Sequence, residues 1–98
     1  MPDAGKRGAI ERLLRPRSIA IVGASPTPGS LGNGVMGNLA RFGFKGDIHL
    51  INPSRTDING RPCLKSADEL PQGIDCAVLA IPRAGVIAAL EGCARRGV

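Results

Sequence analysis

The chain has no tryptophan and no tyrosine, and its only aromatic residues are Phe42 and Phe44. That poverty speaks against nucleic-acid recognition by stacking bases on aromatic platforms. No hydrophobic run approaches transmembrane length, and the first residues lack the apolar core of a secretion signal, so no membrane partner is expected. There is no C-x-x-C pair. Cys63, Cys76 and Cys93 are odd in number and widely spaced, which fits a reducing, cytoplasmic setting. Cys76 in an apolar run and Cys93 on a helix face read as small core residues. Cys63 follows Pro62 in a loop, the one cysteine expected to be exposed, with no His or acidic partner nearby in sequence to activate it.

Acidic residues are also scarce. Thirteen basic against eight acidic side chains give a net charge of +5, which favours an anionic partner. The excess is uneven: residues 1–17 hold Lys6, Arg7, Arg12, Arg15 and Arg17 against Asp3 and Glu11. Residues 1–12 read as a basic N-terminal arm, solvated rather than bound to nucleic acid. Residues 13–98 read as one domain with a modest core.

Apolar runs of strand length occur at residues 18–23 (SIAIVG), 47–52 (DIHLIN) and 75–81 (DCAVLAI). Each looks like a strand buried on both faces. His49 lies inside the second run and reads as a packed or edge histidine rather than a reactive one. A short helix is expected at residues 10–14, stopped by Pro16. A second carries Val35, Leu39 and Phe42 at helical spacing, with Gly34 and Gly37 letting it lie close to the sheet. Residues 53–65 read as loop with a turn at Asn59-Gly60. Ser66 to Glu69 has the S-x-x-E capping pattern of a short helix. The last helix, residues 83–96, places Val86, Ile87, Leu90 and Ala94 on one stripe. The alternation predicts an α/β fold, a Rossmann-like parallel sheet with flanking helices, and calls for a fourth strand beyond Val98. The expected fold is therefore truncated before that strand.

In such sheets ligands sit beyond the carboxyl ends of the strands. Residues 23–32, 52–55 and 81–83 should converge there. The first segment, GASPTPGSLG, runs into a helix N-terminus, whose free N–H groups attract anions. Ser25, Thr27 and Ser30 add hydroxyls, and Gly23, Gly29 and Gly32 permit close backbone approach. Pro26 and Pro28 remove two donors and stiffen the turn. Gly23 and Gly29 stand six residues apart, so this is not the G-x-G-x-x-G fingerprint, nor is it a Walker A loop. The plain alternative is a helix-capping connection that happens to be rich in glycine and serine. After the second strand comes Asn52-Pro53-Ser54-Arg55, without the carboxylate that holds the ribose of NAD. Arg55 suits a phosphate on a ribose, as in NADP or coenzyme A, or else is a solvated loop charge. Arg83 either flanks a helix start or reaches the ligand.

Together, RSIAIVGASPTPGSLGNGVMGNL, GDIHLINPSR, SADELPQGIDCAVLAIPRAGV and ARRGV resemble the N-terminal CoA-binding domain of NDP-forming acyl-CoA synthetases, relatives of the succinyl-CoA synthetase alpha subunit. The resemblance implies that coenzyme A lays its phosphates over Ser25, Thr27, Gly29 and Ser30. It also sets Arg55 against a CoA phosphate and Pro53, Ile81 and Pro82 along the nucleotide. It further implies partner domains or subunits, an ATP-grasp module among them, that hold the phosphohistidine and use ATP or ADP with Mg. No catalytic residue or metal ligand is expected in this chain. The competing expectations are an NADP-binding domain of an oxidoreductase and a stand-alone, non-catalytic CoA-binding regulatory module.

Overall fold

A computed structural model describes residues 9–98. The basic arm expected over residues 1–12 falls mainly on residues 1–8, outside that range. The described elements are α1 (Ala9–Leu14), β1 (Ser18–Val22), α2 (Leu31–Arg41), β2 (Asp47–Ile51), β3 (Asp57–Ile58), β4 (Arg61–Leu64), β5 (Cys76–Leu79) and α3 (Val86–Arg95). Two single 3₁₀ turns, Ala67–Glu69 and Arg83–Gly85, complete them.

The sheet runs β3-β4-β2-β1-β5, with β4, β2, β1 and β5 parallel. Strand β1, between β2 and β5, is buried along nearly its whole length and divides two cores by the alternation of its side chains. Ala20 and Val22 face Ala67, Leu70, Ile74 and Cys93 on the α3 side. Ile19 and Ile21 face Leu50 and Ile58 on the α2 side, where Val35, Met36 and Leu39 complete the packing.

The segment read as loop is in fact a hairpin. Asn59 and Gly60 both have positive φ, 51° and 82°, the requirement of a two-residue type I′ turn. They pair Ile58 with Arg61, and Leu64 then lies parallel to Ile51. The fourth parallel strand therefore comes from within residues 53–65. Cys63 is consequently half-buried in β4 rather than exposed in a loop.

Three further expectations change. Gly34 and Gly37 face open space, and the glycine of close approach is Gly32. Phe42 is 78% exposed because it is the helix C-cap, beyond the buried stripe. Behind it a Schellman turn (Gly43 N–H to Ala40 O, Phe44 N–H to Leu39 O) returns Phe44 to the core beside Leu39. On α3 the face turned inward is Ala89, Gly92 and Cys93, whereas Ile87 and Leu90 are 71% and 54% exposed. Small size decides this orientation: a Cβ on Gly92 would come within 3.0 Å of the Ala67 methyl. The capping box at Ser66 does not form. Ser66 makes no side-chain cap bond, and Glu69 accepts instead from the Lys65 N–H at 3.4 Å.

The end of the sheet opposite the strands' carboxyl ends is closed by a polar latch. Arg12 Nε donates to Asp75 Oδ1 at 3.0 Å, and its Nη2 donates to the Ile74 and Gly97 carbonyls. The other Asp75 oxygen accepts from the Arg17 N–H at 2.8 Å. Among the described residues, no helix is long and apolar enough to cross a membrane.

Candidate functional site

At the carboxyl ends of β1, β2 and β5 three loops are bound to one another. The N–H groups of Gly23 and Ala24 both donate to the Ile51 carbonyl, at 3.0 and 3.2 Å. Asn52 Nδ2 donates to the Ala24 carbonyl at 2.9 Å, while Asn52 Oδ1 accepts from the Ser54 N–H at 2.8 Å. This one side chain joins the first loop to the second and shapes the second as an Asx turn. Gly23 abuts the third loop: a Cβ there would strike the Ala80 carbonyl and the Ile81 side chain, and its φ is +95°. The convergence expected from the sequence is thus present.

The proline-bearing loop is rigid by construction. Ser25 Oγ accepts from the Thr27 N–H at 3.0 Å. Thr27-Pro28-Gly29-Ser30 then closes through the Ser30 N–H to the Thr27 carbonyl, with Gly29 at φ +85°, the pattern of a type II turn. Ser30 is the N-cap of α2. Its hydroxyl accepts from the Asn33 N–H at 3.2 Å and donates to the Thr27 carbonyl at 2.8 Å. That hydroxyl is committed to the turn, and what α2 offers outward is its N-terminal backbone. The Leu31 and Gly32 N–H groups have no intrahelical acceptor, and no acidic residue occupies the first turn. Asn33 braces the loop from behind, donating from Nδ2 to the Ser25 carbonyl at 3.2 Å. A Cβ on Gly29 would meet nothing within 4 Å, so the loop's outer side is open.

Beside these loops, on the α3 side, lies a cavity of about 420 Å³ with walls that include Val22, Ile51, Pro53, Ile81 and Ala89. Pro53 and Ile81 line it, whereas Ser54, Arg55 and Pro82 stand outside it. Arg55 and Arg83 are exposed at the same end of the sheet. His49 is half-buried along β2, in register with Ala20.

Each of the three thiols is shifted away from its thiolate form. Burial pushes the thiols of Cys63, Cys76 and Cys93 above the usual cysteine value. Nearby Asp57, Asp75 and Asp68 respectively add to the shift, and Arg55 opposes it at Cys63. A raised thiol pKa lowers the fraction present as the nucleophilic thiolate. On the cavity rim the Arg95 guanidinium grips Asp68 with two bonds, 2.7 and 3.1 Å, and holds its carboxyl below the usual range.

The sequence places Asn52 in a converging segment without giving it a role, and points to neither Asn33 nor Lys65. Asn33 stands three residues after the N-cap, where a capping partner belongs. Asn52 precedes a proline at a strand end, a common turn signal. Lys65 became a candidate only once β4 was seen beside β2.

A parallel sheet whose joined loops open onto a capped helix N-terminus defines an α/β domain for a phosphate-bearing ligand. Residues 17–98 match the CoA binding domain family, and the chain belongs to it. It is 49% identical over 88 residues to a trans-feruloyl-CoA synthase from an unidentified prokaryote, a match covering 90% of this chain and 12% of that one. It is 38% identical over 94 residues to the alpha subunit of acetate–CoA ligase (ADP-forming) I of Pyrococcus furiosus, covering 92% of this chain and 20% of the relative. Among solved structures, the apo dinucleotide-forming acetyl-coenzyme A synthetase 1 of Candidatus Korarchaeum cryptofilum superposes with a TM-score of 0.84 at 36% identity, over 91% of this chain and 19% of that one. A hypothetical protein from Pyrococcus horikoshii gives a TM-score of 0.75 at 31% identity, covering 90% and 61%. The chain thus spans between 12% and 20% of the length of these curated relatives, matching a segment of ADP-forming acyl-CoA synthetases.

Proposed function

We propose that this domain binds coenzyme A across the crevice as one part of an ADP-forming acyl-CoA synthetase. The observation that carries the proposal is the joining of three strand-end loops at the α2 N-terminus, sealed by the Asn52 to Ala24 bond. The pyrophosphate lies over residues 25–30 and meets the first-turn N–H groups of α2. The residues expected from the sequence take these roles: Ser25, Thr27 and Gly29 face the phosphates, while Gly23, Ser30 and Gly32 hold the loop in shape. Pro53, Ser54, Ile81 and Pro82 border the nucleotide. Arg55 brings positive charge to the mouth of the crevice. The apolar cavity accepts the base, since about 420 Å³ falls within the ~300–1,000 Å³ of small-molecule sites. Acyl transfer to the CoA thiol and coupling to ADP belong to the other parts of the enzyme, where the phosphohistidine and the ATP-grasp module reside.

Calorimetric titration of the chain with CoA and NADP tests the reading. CoA should bind at one site, at least about tenfold more tightly than NADP, a difference of roughly 1.4 kcal/mol. NADP binding that matches or exceeds CoA binding would overturn the assignment in favour of an oxidoreductase cofactor.

A further inference from the structure

Parallel pairing of β4 with β2 runs as far as Ile51 beside Leu64, and the Asn52 N–H donates to the Leu64 carbonyl at 2.9 Å. The next residue along β4 is Lys65, which is thereby delivered to the Asn52–Pro53 turn. Lys65 and Pro53 line the same cavity.

Four charged side chains line that cavity: Lys65, Asp68, Glu91 and Arg95. Asp68 and Arg95 are taken up by their two-bond pair. Glu91 lies one helical turn before Arg95 and within its field. The Lys65 ammonium makes no hydrogen bond or ion pair among the described residues; only its backbone N–H is engaged, to Glu69. Arg55, the cation expected from the sequence, does not line the cavity. In such sheets the ribose of a bound nucleotide sits at the end of the second parallel strand, here the Asn52–Arg55 turn, and Lys65 stands beside that turn. A ribose monophosphate there bears close to two negative charges at neutral pH and offers three acceptor oxygens, which suit a compact, mobile ammonium.

We infer that Lys65 is a further cation for the ribose-bound phosphate of coenzyme A, acting with Arg55. The inference rests on the CoA reading above. It makes Lys65 one of the residues that separate CoA from its analogue lacking that phosphate.

The test is calorimetric titration of the 98-residue chain and its Lys65→Gln, Lys65→Arg and Arg55→Gln variants with CoA and dephospho-CoA. Both positions are exposed, and circular dichroism checks that each variant folds. Lys65→Gln should weaken CoA binding about tenfold to a hundredfold, the range of a charge-assisted hydrogen bond, and leave dephospho-CoA unchanged. Lys65→Arg should keep the preference for CoA, and Arg55→Gln should reduce it as well. If Lys65→Gln binds CoA as the parent does, or weakens both ligands equally, the assignment of Lys65 falls while the CoA reading stands. Failure of the parent chain to bind either ligand would sink the CoA reading itself, and this inference with it.

Discussion

Gly32→Ala should lower stability by about 2–4 kcal/mol and the melting temperature by roughly 10–20 °C. A Cβ at this position runs into the Gly23 carbonyl oxygen, with the Gly23 carbonyl carbon at 2.9 Å and the Ala24 Cα at 3.2 Å. All three are backbone atoms at the end of β1, so no side chain can swing aside to make room. Relief requires α2 to move away from the strand. That movement would pull the Ser30 cap off the loop it closes, so CoA affinity should fall along with stability. Two glycines on the same helix supply the control. Nothing lies within 4 Å of a Cβ at Gly34 or Gly37. Gly34→Ala and Gly37→Ala should each stabilise by about 0.5–1 kcal/mol, because alanine restricts the unfolded chain and favours the helix. Thermal melts followed by circular dichroism read all three. A Gly32→Ala protein that melts with the parent would show that the contact between helix and loop is not as close as described.

Asp75→Ala should cost about 2–4 kcal/mol, at the opposite end of the sheet. Asp75 is 12% exposed and Arg12 27% exposed, so removing the carboxylate strands a guanidinium that water reaches only in part. The Arg17 N–H loses its acceptor as well. With the charge gone, Arg12 keeps only the Ile74 and Gly97 carbonyls. Asp75→Asn retains an oxygen acceptor and should lose about half as much. Urea unfolding measures both variants. Because the latch lies far along the strands from the crevice, the CoA affinity of folded Asp75→Ala should equal that of the parent. Unchanged unfolding would mean that the latch contributes nothing to stability.

These two sites differ in how far the sequence announces them. The strands around Ile21, Leu50 and Val78 were legible as unbroken apolar runs, although only β1 is buried along nearly its whole length and the edge strand β5 is half-buried throughout. The loop's conformation was legible because Ser30 caps a helix directly after glycines and prolines. The hairpin was not, because β3 has two residues and β4 four, one of them Pro62, too short for periodicity to register. Asn59-Gly60 carried the signal, but its flanking strands pair at the sheet edge, where few apolar residues mark them. Missing β4 also hid Lys65, whose place at the crevice follows only from the pairing of Leu64 with Ile51. The face of α3 was misread for a different reason. Both sides of that helix carry apolar residues, and the small ones, Ala89 and Gly92, are what fit against Ala67. Hydrophobic pattern ranks Ile87 and Leu90 as core, but steric fit turns them outward. The latch was invisible altogether, since nothing local in sequence links Arg12 to Asp75.

The central claim is that coenzyme A lies where the three loops meet at the start of α2. Titrating the ¹⁵N-labelled chain with CoA and following backbone amide shifts tests it directly. The account predicts the largest changes within residues 25–33, 52–55, 65–68 and 81–83, with Arg17 and Asp75 undisturbed. Shifts concentrated around Arg17 and Asp75, or none at saturating CoA, would contradict it.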